Sequence, residues 1–304
     1  MRNQENRTIQ EMMAQSQTLQ QPIAARDALQ IVGTVKRLSG INVDPNNSGF
    51  LRLRVNRRLK ELGLTDTDAY IARLNGIHGA SEAQFLVESL ATHTTDFFRE
   101  RAHFDFLKTT GLPNLMQLGA GKEWPLVIWS AACSIGSELW TAGIVLHQLC
   151  LSTPDRLRWS LLGTDVSRRV LARAANAVFT LEELSGLSED LRRAYILRSK
   201  PESQISAGGT LFRVTPDLRG KARFKWANLV DLEVGFSERA DVVFMRNVLI
   251  YFKQKEKDAA IQNVLRRIRP GGYLITGHAE AISNLPEDLT QVAPSVYRKA
   301  CNAK

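Results

Sequence analysis

The segments "WPLVIWS" (residues 124–130) and "AACSIGSELW" (131–140) decide the fold class of this 304-residue chain. The first is an almost continuous apolar run, which is typical of a strand covered on both faces, and helical spacing of apolar residues follows over about 137–150. A buried strand, a tight turn and a helix in this order open the nucleotide-binding unit of a doubly wound α/β sheet. The two segments therefore predict a nucleoside-binding site at the turn between them.

The turn lacks the glycines that a phosphate-binding loop needs. It contains Gly136 alone, whereas a bound pyrophosphate requires two or three glycines at this place. Glu138 would also repel a phosphate group at the start of the helix. An adenosine ligand that carries an ammonium group instead of phosphates fits this turn better, because Glu138 can pair with the ammonium. S-adenosylmethionine is a ligand of this kind.

Strand-like and helix-like segments alternate from about residue 124 to the end of the chain, which predicts a mostly parallel sheet within an α/β domain over 111–304. The segment 199–226 fits this alternation poorly and indicates a small β-subdomain. After the first strand, the predicted strands are "RWSLLGTD" (158–165), "ARFKWANL" (222–229), "ADVVFMRN" (240–247), "GGYLITG" (271–277) and "PSVYRKA" (294–300).

The part of the chain before this alternation is different in character. Residues 26–110 show helical periodicity interrupted by turn signals, and they predict a small helical domain with a linker. Residues 1–25 are polar and rich in glutamine, and we expect them to be a flexible extension.

Composition limits the function classes. The net charge of +9 favours an acidic partner. No stretch approaches the roughly 18–20 apolar residues of a membrane span, and the N-terminus has no signal-peptide core, so we expect a cytoplasmic protein that does not insert into a membrane. The three cysteines are widely spaced, and they indicate neither a disulfide framework nor a zinc site.

Polar residues stand where the predicted strands end, which is the edge at which open α/β sheets bind ligands. Asp165 follows the second strand and is placed to accept hydrogen bonds from both hydroxyls of a ribose. Asn228, Arg246 and Asn247 end the next two strands. Each has a simpler explanation on its own, because Asp and Asn often cap loops and helices and Glu138 suits a helix dipole. Their joint placement favours the nucleoside site.

Five motifs in order give the sequence a strong resemblance to the CheR family, the S-adenosylmethionine-dependent glutamate methyltransferases of bacterial chemotaxis receptors. The resemblance covers about residues 29–299. The motifs are "THTTDFFRE" (92–100), "GTDVS" (163–167), "ANL" (227–229), "RNVLIYF" (246–252) and "GGYLITGHAEAISN" (271–284).

The resemblance implies a Rossmann-like class I methyltransferase domain with a mostly parallel seven-stranded sheet and a small all-helical N-terminal domain. It implies that Arg99 and Tyr251 flank the methyl group and the incoming glutamate as catalytic residues. It also implies a cofactor-binding set on matching positions, which consists of His93, Thr95, Arg99, Glu138, Asp165, Asn228, Leu229, Arg246 and Asn247.

The implied reaction needs neither a strong base nor a metal ion. The sulfonium of the cofactor carries an activated methyl group, and a glutamate side chain is already an ionised nucleophile at neutral pH. Positioning is then the main task of the enzyme, and the guanidinium of Arg99 suits it because it grips a carboxylate in a planar fork. The products would be a glutamyl methyl ester and S-adenosylhomocysteine.

A basic helix face in "FLRLRVNRRLKEL" (50–62) is a candidate docking surface. Arg54, Arg57 and Lys60 fall away from the apolar face, and Arg54, Arg57 and Arg58 are the candidate docking residues. A basic helix face is often only a solvated surface. In a member of the resembled family, the partner would be the acidic methylation region of a receptor's cytoplasmic helical bundle. Nucleic acid is a weaker alternative, because no recognition motif is present. We expect the protein to act as a monomer.

The sequence departs from the family pattern at Ser137, where a glutamate is expected, and at His93, where an asparagine is common. A second hypothesis is therefore an inactive chemosensory adaptor with the same fold. A third is methylation of a small molecule or a nucleic acid, for which no substrate motif is present.

Overall fold

The computed structural model describes residues 23–43, 48–90, 94–153, 156–199, 209–232 and 236–301. Two compact units divide the chain between Thr92 and His93. This division lies inside the stretch that the sequence analysis gave to the helical domain and its linker. Most of the expected N-terminal extension, as well as His93, lies outside the described residues.

The first unit is helical, as its periodicity predicts, and a buried carboxylate contributes to its core. Glu82 is 2% exposed and accepts hydrogen bonds from the Arg58 guanidinium at 2.7 and 2.9 Å and from the Tyr70 hydroxyl at 3.0 Å. Burial alone would raise the pKa of Glu82, but these bonds and the charges of Arg58 and Arg73 hold it below its usual value. The helices are α1 (Ala25–Ser39), α2 (Ser48–Leu62), α3 (Thr67–Asn75) and α4 (Gly79–Leu90).

The second unit contains the predicted sheet, which has seven strands in the order β6-β2-β1-β7-β8-β10-β9. Neighbours from β6 to β8 are parallel, whereas β10 is antiparallel to both β8 and β9. The strands are β1 (Leu126–Ala131), β2 (Trp159–Asp165), β6 (Ala222–Trp226), β7 (Ala240–Met245), β8 (Ile268–Thr276), β9 (Leu289–Ala293) and β10 (Val296–Lys299).

Helices cover the sheet, and every side chain of β1 and β7 is buried. A helical stretch of two α-helices joined by one π-helical segment leads into β1. The helices are α5 (Ala102–Phe106), the π-segment Leu107–Gly111, α6 (Leu112–Gln117), α7 (Ser137–Leu151), α8 (Arg168–Asn176), α9 (Glu189–Tyr195), α10 (Pro216–Arg219), a 3-10 turn (Leu249–Tyr251) and α11 (Gln254–Leu265).

The small antiparallel sheet begins earlier than the predicted 199–226 segment. It has the order β3-β5-β4, and β6 belongs instead to the large sheet. Strands of two or three residues are too short to show a periodic pattern, which explains the displaced boundary. The strands are β3 (Val178–Phe179), β4 (Ile196–Arg198) and β5 (Phe212–Val214).

The end opposite the carboxyl edge of the sheet depends on Asp241, which is fully buried. Its carboxylate accepts hydrogen bonds from the Val127 backbone N–H at 2.7 Å, the Trp124 indole at 2.8 Å and the Arg269 guanidinium at 3.1 Å. These bonds fix the start of β1 against β7, so that the carboxyl ends of both strands meet at one edge. Within the described ranges, no helix is long and apolar enough to cross a membrane.

Candidate functional site

The carboxyl edge of the sheet gathers the polar residues that the sequence analysis singled out. Asp165 ends β2, Glu138 lies in the first turn of α7, and Arg246 and Asn247 follow β7 directly. Asn228 follows β6 after a short gap.

The turn after β1 needs its single glycine for packing. Gly136 has φ +93°, and a Cβ atom at this position would lie 2.9 Å from the Trp140 indole nitrogen and 3.1 Å from the Ala174 Cβ. Ala132 and Ser134 also adopt left-handed backbone conformations, which cost free energy in residues other than glycine. The turn therefore packs closely against neighbouring side chains and is not an open phosphate-binding loop.

Asp165 fastens this turn to the end of β2. One carboxylate oxygen accepts the Ser134 N–H at 2.9 Å, and the other accepts the Ser167 N–H at 2.9 Å. Two carboxylate oxygens have about four acceptor sites in all, and ribose hydroxyls are donors of the kind they accept.

Glu138 lies largely buried, with 13% of its side chain exposed. The Ser130 hydroxyl donates to one of its oxygens at 2.7 Å, and the Arg246 guanidinium lies 3.2 Å from the other. Burial raises the pKa of Glu138, and the Arg246 charge and the Ser130 bond oppose this rise only in part. The carboxylate would therefore gain from a second cation at its exposed edge.

Arg246 is 2% exposed in its side chain and joins three segments of the unit. It contacts Glu138 at 3.2 Å and Glu100 at 3.2 Å, and it donates a hydrogen bond to the Arg99 carbonyl at 2.5 Å. Its guanidinium also lies 5.5 Å from the centre of the Phe104 ring. The family resemblance placed Arg246 in the pocket wall, and the structure shows that it also organises the charges there.

Arg99 and Thr95 belong to the segment that Arg246 holds. The Arg99 guanidinium, which is half-buried, donates to the Thr94 carbonyl at 3.0 Å. Thr94 and Thr95 line a cleft together with Ile135 from the turn after β1. Phe98 and Glu100 both have φ +55°, so this segment is held in a strained conformation.

Side-chain amides hold the backbone of the loop after β6. The Asn228 side-chain oxygen accepts the Val230 N–H at 3.0 Å, which matches the loop-capping explanation considered above. The Asn263 amide from α11 donates to the carbonyls of Leu229 at 2.9 Å and of Val230 at 3.0 Å. Leu229 is buried, with 4% exposure.

Glu280 is a site residue that the sequence analysis quoted but did not select. One of its oxygens accepts the N–H groups of Asn247 at 2.6 Å and Gly277 at 2.9 Å, and the other accepts the Ile250 N–H at 3.2 Å. Asn247 has φ +56°, so the carboxylate holds a strained backbone in place. These bonds fix the turn that carries Tyr251, which is partly exposed.

Glu280 also explains the glycine at the end of β8. A Cβ atom at Gly277 would lie 2.7 Å from the Glu280 carboxylate and 3.0 Å from the Asn247 amide nitrogen. A buried acid three residues after a glycine at a strand end was the signal available in the sequence.

In the helical unit, the three arginines predicted to dock a substrate differ. Arg57 is exposed and makes an ion pair with Glu61 at 3.0 Å. Arg58 is 19% exposed and donates to the buried Glu82 at 2.7 Å, so its guanidinium is used inside the unit and is not available to a partner. Arg54 is half-buried. The docking surface must therefore be redrawn without Arg58.

Family models match nearly the whole described chain. Residues 27–91 match the CheR methyltransferase all-alpha domain, and residues 93–298 match the CheR methyltransferase SAM binding domain. The chain belongs to the CheR methyltransferase family. The resemblance read from the five motifs is confirmed, as are the class I methyltransferase fold and S-adenosylmethionine as the cofactor of its domain family.

The similarity to curated relatives covers most of this chain and most of each relative. A chemotaxis protein methyltransferase of Borreliella burgdorferi is 29% identical, over 86% of this chain and 89% of the relative. The chemotaxis protein methyltransferase of Salmonella typhimurium is 28% identical, over 91% and 92% respectively. Chemotaxis protein methyltransferase 2 of Pseudomonas aeruginosa is 29% identical, over 90% and 93%.

The charges of this CheR-family site fit S-adenosylmethionine. Two largely buried carboxylates, Glu138 and Glu100, share the single guanidinium of Arg246, so the ammonium of the cofactor would balance the second negative charge. Ser137, where the family expects a glutamate, is fully buried, and among the described residues its hydroxyl has no hydrogen-bond partner. A carboxylate there would add to the negative charge of Glu138, Glu100 and Glu280, which the serine avoids.

We predict that Glu280→Ala destabilises the protein and impairs methyl transfer, because three backbone N–H groups lose a common acceptor. The expected loss is about 2–4 kcal/mol in the free energy of unfolding. Glu280→Gln should lower the free energy of unfolding by less than Glu280→Ala does, since its amide keeps one acceptor oxygen. Denaturant unfolding and a methyltransferase assay measure the two effects.

The matched control for this prediction is Glu287→Ala, which changes an exposed glutamate of the same segment. It should alter the free energy of unfolding by less than about 0.5 kcal/mol. Equal stability of the two variants would contradict the role assigned to Glu280.

Proposed function

We propose that this methyltransferase transfers the methyl group of S-adenosylmethionine to glutamate side chains of chemotaxis receptors. One observation carries the proposal for this chain: both segments that carry the candidate catalytic residues are held at the carboxyl end of β7. Arg246, directly after β7, binds the Arg99 carbonyl at 2.5 Å, and the turn from Asn247 leads to Tyr251. The curated relatives named chemotaxis protein methyltransferase support this substrate class.

The residues of this chain would act by positioning. The bound cofactor supplies a methyl group that its sulfonium has already activated. Arg99 would hold the carboxylate of the substrate glutamate through its planar guanidinium, and the Tyr251 hydroxyl would donate to the same carboxylate. Glu138 would hold the cofactor ammonium, and Asp165 the ribose. The attacking carboxylate oxygen forms a bond to the methyl carbon as the carbon–sulfur bond breaks, with its electron pair left on sulfur, so no proton has to move.

The adaptor hypothesis has less support, because the site keeps most of the residues that the family resemblance implies. Glu138, Asp165, Arg246 and Asn247 all lie at the carboxyl edge of the sheet. An adaptor that had lost the cofactor would have no need for two carboxylates around one buried guanidinium.

We predict that Glu138→Gln weakens S-adenosylhomocysteine binding about 10- to 100-fold, because the neutral amide cannot pair with the ligand ammonium. Isothermal titration calorimetry measures the affinity. Gln keeps the size of the side chain and can still accept the Ser130 hydroxyl, and Arg246 keeps Glu100 as its ionic partner, so the unfolding temperature should change little. Glu182→Gln, at an exposed position of the same unit, is the control.

Two results would speak against this prediction. Equal affinity of Glu138→Gln and Glu182→Gln for S-adenosylhomocysteine would show that Glu138 does not bind the ammonium. No heat of binding from the unmodified protein would favour the adaptor hypothesis instead.

We predict that Tyr251→Phe lowers kcat for methylation of a receptor cytoplasmic fragment by about 100-fold, the usual effect of removing one donor at the reacting centre. The affinity for S-adenosylhomocysteine should stay within about threefold, since the hydroxyl is assigned to the substrate. Mass spectrometry of the fragment should locate the methyl groups as esters on glutamate.

The control is Tyr195→Phe, which removes a hydroxyl that contacts His147 at 3.1 Å, away from the carboxyl edge of the sheet. Methyl groups on another residue type would overturn the glutamate assignment. An unchanged kcat in Tyr251→Phe would overturn the role of the tyrosine.

We further propose that the enzyme works in the cytoplasm as a monomer recruited to receptors at the membrane, and that the basic face of α2 docks their acidic helical bundle. This docking surface consists of Arg54, Arg57 and Lys60. Arg57 and Lys60 are exposed, and Leu51, Val55 and Leu59 are buried on the opposite face of the helix. Electrostatic attraction to an acidic helix would raise the association rate and weaken as salt is added.

We predict that Arg57→Glu raises KM for the receptor fragment several-fold at low salt and that the effect shrinks at high salt, while affinity for S-adenosylhomocysteine is unchanged. Arg193→Glu is a matched control, because both arginines are exposed and pair with a glutamate four residues away in a helix. Steady-state kinetics at two ionic strengths measure the effect. Equal KM values for both variants would show that net charge, and not the α2 face, attracts the receptor.

A further inference from the structure

We propose that Glu100, His103 and His278 form a binding site for a divalent transition-metal ion, with Zn²⁺ as the best match. One potential ligand atom from each side chain lies within 4.8 Å of the other two. Glu100 lies in the turn before α5 and His103 in the helix itself, whereas His278 follows β8. No local sequence pattern groups them, because the two segments are far apart along the chain.

His103 is the central observation. It is 2% exposed, and within the described part of the chain neither of its ring nitrogens makes a hydrogen bond of normal geometry, although Nδ1 lies 3.4 Å from the Glu100 carboxylate. Buried polar groups without a partner are rare and call for an explanation such as an ion. Imidazole nitrogens are common metal ligands in proteins.

Glu100 supplies an oxygen to the same place. Its Oε2 atom lies 3.4 Å from His103 Nδ1 and 4.0 Å from His278 Nε2. Among the described residues, no donor makes a hydrogen bond of normal geometry to this buried oxygen, although the Arg246 guanidinium lies 3.2 Å from it.

The donor set and spacing fit zinc. Two imidazoles and one carboxylate form a common zinc ligand set, with bonds of about 2.0–2.2 Å and a fourth position left for water or substrate. Such bonds place neighbouring ligand atoms about 3.3 Å apart, close to the 3.4 Å between Glu100 and His103. His278 must move closer, and its side chain is 57% exposed on a loop, so it is free to rotate and opens a path from solvent.

Arg246 limits the affinity without closing the site. Its positive charge, 3.2 Å from Glu100, opposes a second cation. When Glu100 turns toward the metal, Arg246 keeps its contact with Glu138 and its hydrogen bond to the Arg99 carbonyl. We therefore expect a dissociation constant for Zn²⁺ of about 1–10 μM, weaker than the values of closed structural zinc sites.

The test is calorimetric titration of the full chain with ZnCl₂ in the absence of S-adenosylmethionine. The unmodified protein should bind one ion with micromolar affinity, and both His278→Ala and His103→Gln should weaken binding at least about tenfold. His78→Ala, which changes an exposed histidine of the helical unit, should leave it unchanged. His278 is exposed, so its variant should fold normally even if the His103 variant does not.

Two outcomes would overturn the proposal. The first is no binding of Zn²⁺ up to about 1 mM, a thousandfold above the lower expected constant. The second is the same affinity in the unmodified protein and in His278→Ala, which would place the ion elsewhere. Because no cofactor is present, neither outcome bears on the methyl-transfer proposal.

Discussion

The buried guanidinium of Arg246 is the interaction on which the site depends. It follows β7, and it reaches Glu138 at the start of α7, Glu100 in the turn before α5 and the carbonyl of Arg99. A buried charge is tolerated only when its partners satisfy it, and removal of one partner leaves the others without compensation. The three segments are therefore fixed together by charge, in addition to the apolar core beneath them.

This arrangement explains why the turn after β1 can have an acid where a phosphate-binding loop has glycines. Gly136 is required by Trp140 and Ala174, so the turn has no open cradle of N–H groups. Glu138 and Glu100 together outweigh Arg246 by one negative charge, which selects for a cation at the exposed edge of Glu138. A phosphorylated cofactor would meet both a closed turn and a repulsive charge, whereas an ammonium meets neither.

Sequence patterns predicted the parts of the fold that local physics determines. β1 and β7 were identifiable because every residue of each is buried, and Glu138 and Asp165 because acids at strand ends are conspicuous. β9 was missed, since most of its residues are exposed and show no apolar period. The grouping of Glu280 with Asn247, and of Glu100 with His103 and His278, arises from contacts between distant segments, which no local pattern encodes.

The shared guanidinium also links the two proposed cation positions. Glu138 faces the expected ammonium and Glu100 faces the proposed metal, while Arg246 contacts both carboxylates at 3.2 Å. If a cation bound Glu100, Arg246 would pair with Glu138 alone. Glu138 would then attract an ammonium less strongly. By thermodynamic linkage, an ammonium at Glu138 must lower the affinity for the metal by the same factor. A metal at this place would therefore oppose cofactor binding.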